Sequence, residues 1–435
     1  MNSFKTIVLA LCIAATIFGL LVFARVIPIG NNSSTTKQME GSITLWGTLP
    51  DRDIRVFLQD YSLRNQSVRI SYEEKNPTTF SDDLVEALAS GSAPDLIILP
   101  DNLINRFDDK LTHISFASLP AATFKDTFVS GASIFMAADG AIAIPWATDP
   151  IVMYYNRDFT EGAGIVKPPA LWKDFSEAVV PLSMKKPDLT ITQSGAALGT
   201  YTNIAHAKDI IAMLFLQNGN PFITYAKPVK THFGIGSISG TDVGPQVLDF
   251  YTAFADPVKD VYTWNAGMPL DRTAFTQSTL VYYFGTASEL PLIRAANPNL
   301  NFDIAIPPQS KPATPATTGR MYGLAIPKSA PNQMLSYTAA TLLSDKASSS
   351  ALALKAGTSL ALVPVRRDVL SEKPTSDPYL ARLYQAALIQ KTWFDPNPVR
   401  SDAIFAGVIK DIASGIANSA QALSKASTQI TALSR

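Results

Sequence analysis

The 435-residue chain contains one cysteine, Cys12, and three histidines. A lone thiol excludes an internal disulfide, a CxxC redox pair and a zinc site built on thiolates, so the fold must rest on an ordinary hydrophobic core. The histidines, His113, His206 and His232, lie far apart, form no HExxH pair, and are accompanied by no GxSxG elbow. An excess of charge of either sign is missing too, since 36 Lys and Arg balance 36 Asp and Glu. Nucleic-acid binders gain much of their affinity when basic side chains displace counterions from phosphates, and this chain has no basic run. No nucleic-acid partner is expected.

The remaining catalytic signals fall away on inspection. Gly234, Gly236 and Gly240 miss a dinucleotide loop because Ser239 stands where the third glycine belongs. Asp82-Asp83 and Asp108-Asp109 are adjacent carboxylates, but sequence neighbours on a helix point apart, so they read as solvated faces. Tyr154-Tyr155 offers the paired phenolates that suit ferric iron, although their strand context favours core packing. The sequence predicts no enzyme, no cofactor and no metal.

One long apolar run is present. Residues 6–24 (TIVLALCIAATIFGLLVFA) carry no charge over 19 positions, which as a helix spans about 28 Å, the thickness of a bilayer core. A transmembrane anchor is the favoured reading over a cleaved signal peptide, whose apolar region normally runs about 7 to 15 residues, even though Val22-Phe23-Ala24 suits a signal peptidase. Lipid attachment at Cys12 fits poorly, because Leu11 precedes it where a small residue is expected. Residues 28–41 (PIGNNSSTTKQMEG) are small and polar, with little to offset the entropy of ordering, and read as a flexible linker. No second run of this kind follows, and the length suits two or three domains.

The body opens with strands alternating with amphipathic helices. SITLW (42–46) reads as a strand. Ile54, Phe57, Leu58 and Tyr61 then fall at i, i+3, i+4 and i+7 on one helix face, with Asp51 as the expected cap. SVRISY (67–72) is a second strand, Phe80, Leu84 and Leu88 mark a second helix, and DLIIL (95–99) is a continuous apolar strand. This β-α-β-α-β order predicts a parallel sheet, which places ligands at the carboxyl ends of its strands. Those ends carry Trp46, Gly47 and Thr48, then Pro100, Asp101 and Asn102. A later strand leads into Trp146, Ala147, Thr148 and Asp149.

Nine stretches in order, among them SGSAPDLIIL (90–99), GAIAIPWATDPIVMYYNRDF (140–159), KPPALWKDF (167–175), AFTQSTLVYYFG (274–285), GRMYGLAIPKSA (319–330) and AGTSLALVPVRRD (356–368), carry a family resemblance. The chain resembles the extracellular solute-binding proteins of carbohydrate ABC importers, the maltose-binding-protein-like group, over residues 42 to about 430. The resemblance implies an α/β, two-lobed periplasmic-binding-protein-like fold of type II with a hinge, here preceded by one transmembrane helix. It implies lobe 1 from 42–149 plus 320–361 and lobe 2 from 150–319 plus 362–435. Crossings would fall near Asp149 to Ile151, Gly319 to Met321, and Leu362 to Pro364. The implied partners are a carbohydrate or other polar solute and the permease subunits of an ABC transporter. A membrane-anchored polysaccharide-active enzyme or sensor module, or a binder of a non-sugar solute, stays open beside this reading.

Sugars offer apolar C–H faces for aromatic rings and hydroxyls for carboxylates, amides and arginine. Trp46 and Trp146 stand at strand ends and Trp264 in an irregular stretch, whereas Trp172 and Trp393 read as core. By resemblance Asp149, just before a crossing, accepts from sugar hydroxyls. Thr48, Asp101, Asn102 and Asn203 belong to loops that line the cleft, although Asp101, Asn102 and Asn203 equally suit helix caps. Phe284 and Gly285 match a segment that approaches ligand, but the family's following Trp is absent. Tyr322, Arg366 and Phe405 complete the expected site, which lies in a soluble body on the extracytoplasmic side of the cytoplasmic membrane.

Overall fold

The computed structural model describes residues 40–219, 222–224, 232–233, 243–355, 361–372 and 377–433. The apolar run 6–24 with Cys12, most of the linker 28–41 and the glycines at 234–240 lie outside them. Among the described residues no helix is long and apolar enough to cross a membrane.

The expected opening order is present. Strand Gly41–Gly47 is followed by helix Asp51–Arg64, strand Val68–Glu74, helix Phe80–Ser90 and strand Leu96–Pro100. The first helix buries Ile54, Phe57, Leu58 and Tyr61, the face that its spacing predicts. Its cap differs from expectation: Pro50 precedes the first turn, and Asp51 lies inside the helix, where its carboxylate pairs with Arg55 one turn on at 2.6 Å. The second helix buries Phe80, Leu84 and Ala87 and ends at Gly91, whose φ of +75° is the left-handed conformation that glycine adopts without strain. The first and third strands pair in parallel, Leu45 with Leu96 and Trp46 with Ile97, and the second strand flanks the first.

The architecture turns on strand Ile144–Asn156, which spans 13 residues and is buried along almost its whole length. Its first half pairs antiparallel with Gly319–Ala325, from Leu324 opposite Ile144 to Gly319 opposite Pro150. Strand Val363–Pro364 lies on the other edge of that half, Val363 opposite Thr148. Beyond Pro150 the partners change. Thr286 now faces Ile151 and Tyr282 faces Tyr155, while Phe302–Ala305 takes the opposite edge. A proline has no N–H for a ladder, so Pro150 suits a point where one set of partners ends and another begins.

Gly319 occupies the matching position on the partner strand. Its φ is +145°, and a Cβ there would stand 2.2 Å from the Asp149 carbonyl oxygen. Only glycine fits so close an approach.

Tyr154 and Tyr155 point to opposite faces, as successive strand residues must. The Tyr154 ring stacks on Tyr283 at 5.8 Å and its hydroxyl donates to the Thr286 carbonyl at 2.7 Å, whereas the Tyr155 hydroxyl donates to Asp303. Both are packing residues here.

Candidate functional site

A cleft of about 640 Å³ lies at the carboxyl ends of the first and third strands. Thr48 enters from the first strand end, Thr78 and Asp82 from the start of the second helix, and Asn102 and Arg106 from the turns after Pro100. Arg320 and Tyr322 rise from the strand that pairs with the third strand, Tyr322 directly opposite Pro100. The far wall is the segment Pro396, Asn397, Pro398 and Val399. Its Pro396 carbonyl accepts from Asn105 Nδ2 at 2.9 Å.

Each cation of the cleft carries its own carboxylate. Arg320 donates to Asp101 Oδ1 at 2.8 Å, and Arg106 donates to Asp82 Oδ1 at 2.6 Å. Burial pushes the Asp101 carboxyl up, and the Arg320 charge pulls it back. Burial works in the same direction on the Tyr322 hydroxyl, which is raised and so stays a neutral donor. Asn102 Oδ1 is buried without a protein hydrogen-bond partner, and a buried acceptor without a donor is costly unless something else supplies one. Charge-balanced pairs, amides, hydroxyls and one free amide acceptor suit a neutral ligand rich in hydroxyl groups.

A second polar cluster sits at the partner change. Ser288 donates its N–H to Asp149 Oδ1 at 2.8 Å and its hydroxyl to Oδ2 at 2.7 Å. Burial lifts the Asp149 carboxyl to about 6 against those two bonds. Next to it, Glu289 accepts from Tyr283 at 2.5 Å, from Arg272 at 2.9 Å and from the Thr286 N–H at 3.1 Å. Burial alone would raise Glu289, but His206, Tyr283 and Arg272 together hold it below the usual carboxylate range. His206 lies 3.3 Å from Glu289; burial opposes its protonation, and Glu289, Asp209 and Asp271 overcome that and lift it to about 9.

The model of one family, described as bacterial extracellular solute-binding protein, matches residues 57–382, most of the chain. The chain belongs to this family. A search of curated protein sequences found no match. Among solved structures, the solute-binding protein is similar to the cyclic alpha-maltosyl-1,6-maltose binding protein of Arthrobacter globiformis, with TM-score 0.73 and 18% identity over 91% of this chain and 99% of that one. It is also similar to UgpB of Mycobacterium tuberculosis in complex with glycerophosphocholine, with TM-score 0.70 and 16% identity over 91% and 98%. A third is an ABC transporter solute-binding protein of Thermotoga lettingae bound with alpha-D-tagatose, with TM-score 0.68 and 19% identity over 91% and 100%. These likenesses establish a mixed α/β, two-lobed solute-binding protein fold.

Within that fold the expected site residues separate. Thr48, Asn102 and Tyr322 line the cleft, and Asp101 stands behind them on Arg320. Trp46 is close by, yet one face of its ring is covered by Lys75 Nζ at 3.5 Å. The others lie outside its lining, each engaged in packing, hydrogen bonds or an ion pair. Trp146 is 2% exposed and meets Phe57 edge-on at 5.6 Å, and Trp264 is fully buried. Phe284 packs between Trp172 and Phe175, and Phe405 stacks on Phe222 at 5.0 Å. Gly285 leaves room for its neighbours, since a Cβ there would stand 2.4 Å from Glu289 Oε2. Asn203 ties a loop together by donating to the carbonyls of Asn265 and Met268, and Arg366 pairs with Asp368 at 2.8 Å. Asp149 is held by Ser288.

Sequence reasoning passed over Arg320, Asn105, Arg106 and Asn397. A signal existed for Arg320, an arginine next to a glycine in the otherwise apolar GRMYGLA strand. Asn397 was marked by the Asn-Pro step that starts a helix, which it caps by accepting from the Arg400 N–H.

Proposed function

We propose that this chain captures a neutral sugar or oligosaccharide in the cleft beneath Arg320 and delivers it to the permease of an ABC importer. The observation that carries this reading is charge pairing within the cleft: Arg320 with Asp101 and Arg106 with Asp82 leave no net charge for an ionic ligand to meet. Of the proteins with a similar fold, one is described as bound with alpha-D-tagatose and another as a cyclic alpha-maltosyl-1,6-maltose binding protein. The protein is a binding protein and not a glycosidase, because catalysis there needs two carboxylates facing one bond across about 5 to 9.5 Å, whereas Asp82 and Asp101 are each committed to an arginine.

Lobe 1 comprises about 42–149 with 320–361, and lobe 2 about 150–319 with 362–435. Support comes from the partner change at Pro150 to Ile151. Closure brings the wall at Pro396 to Val399 toward Asn102 and Arg320, and ligand favours the closed form because it touches both walls only there. The segment 6–24 anchors the body outside the cytoplasmic membrane, and residues 28–41 give it reach.

A thermal-shift screen of the full chain against mono- and oligosaccharides tests the reading. A ligand present at 100 times its dissociation constant adds about 2.7 kcal/mol of stability. Arg320 also permits a phosphodiester such as the glycerophosphocholine found with UgpB, and a shift with that compound and none with any sugar would reverse the choice.

A further inference from the structure

We propose that Lys208, which lies outside the cleft, is a positioning residue that holds the cleft's far wall in place. The proposal rests on the reading of the cleft as the ligand site. The wall, Asp395 to Val399, cannot hold itself by a backbone ladder. Pro396 and Pro398 remove two N–H donors, and among the described residues no strand pairs with the segment. Asn105 holds the Pro396 carbonyl from the cleft side and the helix that Asn397 caps holds Pro398 and Val399; the remaining anchorage comes from behind.

Lys208 sits in the first turn of helix Ala207–Gln217. Its Nζ donates to Asp395 Oδ2, to the Pro398 carbonyl and to Ser401 Oγ, each at 3.1 Å. An ammonium has three N–H groups, and all three are used on residues 395–401. Ser401 Oγ is in turn 2.9 Å from both Asp395 oxygens, and Asp395 Oδ1 accepts from the Asn397 N–H at 3.1 Å. Asp402 adds a second carboxylate 3.8 Å from Nζ and is itself held by the Tyr201 hydroxyl at 2.6 Å. The cation also stands 5.8 Å from the Trp393 ring centre.

The side chains of Lys208 and Asp395 are 13% and 3% exposed. A paired charge at that depth holds its geometry strictly, because any displacement leaves a buried ion without its partner. Removal of the ammonium leaves the buried Asp395 carboxylate without its counter-charge, held only by the Ser401 hydroxyl and the Asn397 N–H. The segment must then move toward water, and Asn397 moves with it. Arginine is no substitute, since a planar fork cannot meet three acceptors grouped around a point.

Hydrogen–deuterium exchange on the full chain tests this directly, with Lys208→Met compared with Lys425→Met. The control breaks an exposed pair, Lys425 with Asp411 at 2.9 Å, that links the two C-terminal helices. Lys208→Met should speed exchange across residues 393–402 by at least about tenfold and leave the rest of the chain as it was. Lys425→Met should leave 393–402 unchanged. Titration with maltotetraose should show at least about tenfold weaker binding for Lys208→Met alone. Unchanged exchange at 393–402, or equal acceleration over the whole chain, overturns the proposal. Failure of the unmodified protein to bind maltotetraose counts against the reading of the cleft, and the exchange data still decide the role of Lys208. If Lys208→Met does not fold, Ser401→Ala removes a single hydroxyl and should give a smaller rise confined to the same residues.

Discussion

Both carboxylate oxygens of Asp149 are occupied by one residue, Ser288, whose N–H and hydroxyl donate at 2.8 and 2.7 Å. Asp149 closes the first half of the long strand, and Ser288 lies in the turn that follows the second half's partner strand. The pair therefore ties together the two sides of the partner change. Asp149→Ala should destabilise the protein by about 1.5 to 3 kcal/mol, the usual worth of hydrogen bonds to a charged group, and change ligand affinity by less than about threefold. Denaturant melts with parallel calorimetric titrations measure both, and a large loss of affinity at unchanged stability would return Asp149 to the binding site.

The sequence reveals the opening strands and helices because each has a period: Ile54, Phe57, Leu58 and Tyr61 can bury together only as a helix, and they do. Polar residues just past strand ends are legible from the strands before them, and Thr48 and Asn102 reach the cleft; Tyr322, which also reaches it, lies within strand Gly319–Ala325. The direction of an aromatic ring is not legible. In a pleated strand a shift of one residue moves a side chain to the other face, so Trp146 reads as a ligand platform, and Phe284 as part of a segment near ligand, until their neighbours, Phe57 and Trp172, are seen against them. Arg320 stays hidden because its partner Asp101 is 219 positions away in the chain.

Gly319→Ala should be more damaging than its size suggests. The new Cβ would meet the Asp149 carbonyl at 2.2 Å with φ at +145°, and strain of this kind costs at least about 1 to 3 kcal/mol. A fall in the denaturant midpoint of that order is the expected result, with no matching fall for Gly162→Ala, where nothing lies within 4 Å.

Stability should fall as the solution becomes alkaline. His206 titrates at about 9 in the folded protein against 6.5 for a free histidine. A folded value above the unfolded one gives stability that is complete below the unfolded value and is lost as pH rises through the folded one. The window is therefore about pH 6.5 to 9. Asp149, raised to about 6 by burial, follows the same rule at lower pH, with stability lost from about pH 4 to 6. Melting curves of His206→Gln should lose the alkaline slope and keep the acidic one.

If residues 6–24 remain in the mature protein, it should sediment with membranes and be released by cleavage within residues 28–41. N-terminal mass spectrometry provides the check, and a mature chain that begins at Arg25 would show the segment to be a removed signal.

The most direct test of the cleft is calorimetric titration of Asn102→Ala with the sugar that gives the largest thermal shift. Asn102 Oδ1 makes no hydrogen bond within the protein, so its removal should leave the melting temperature unchanged or slightly higher. A ligand hydroxyl would lose an acceptor worth about 0.5 to 1.5 kcal/mol, which is roughly 2- to 13-fold in affinity. Weaker binding at undiminished stability is the result the cleft predicts; unchanged affinity would place the ligand elsewhere.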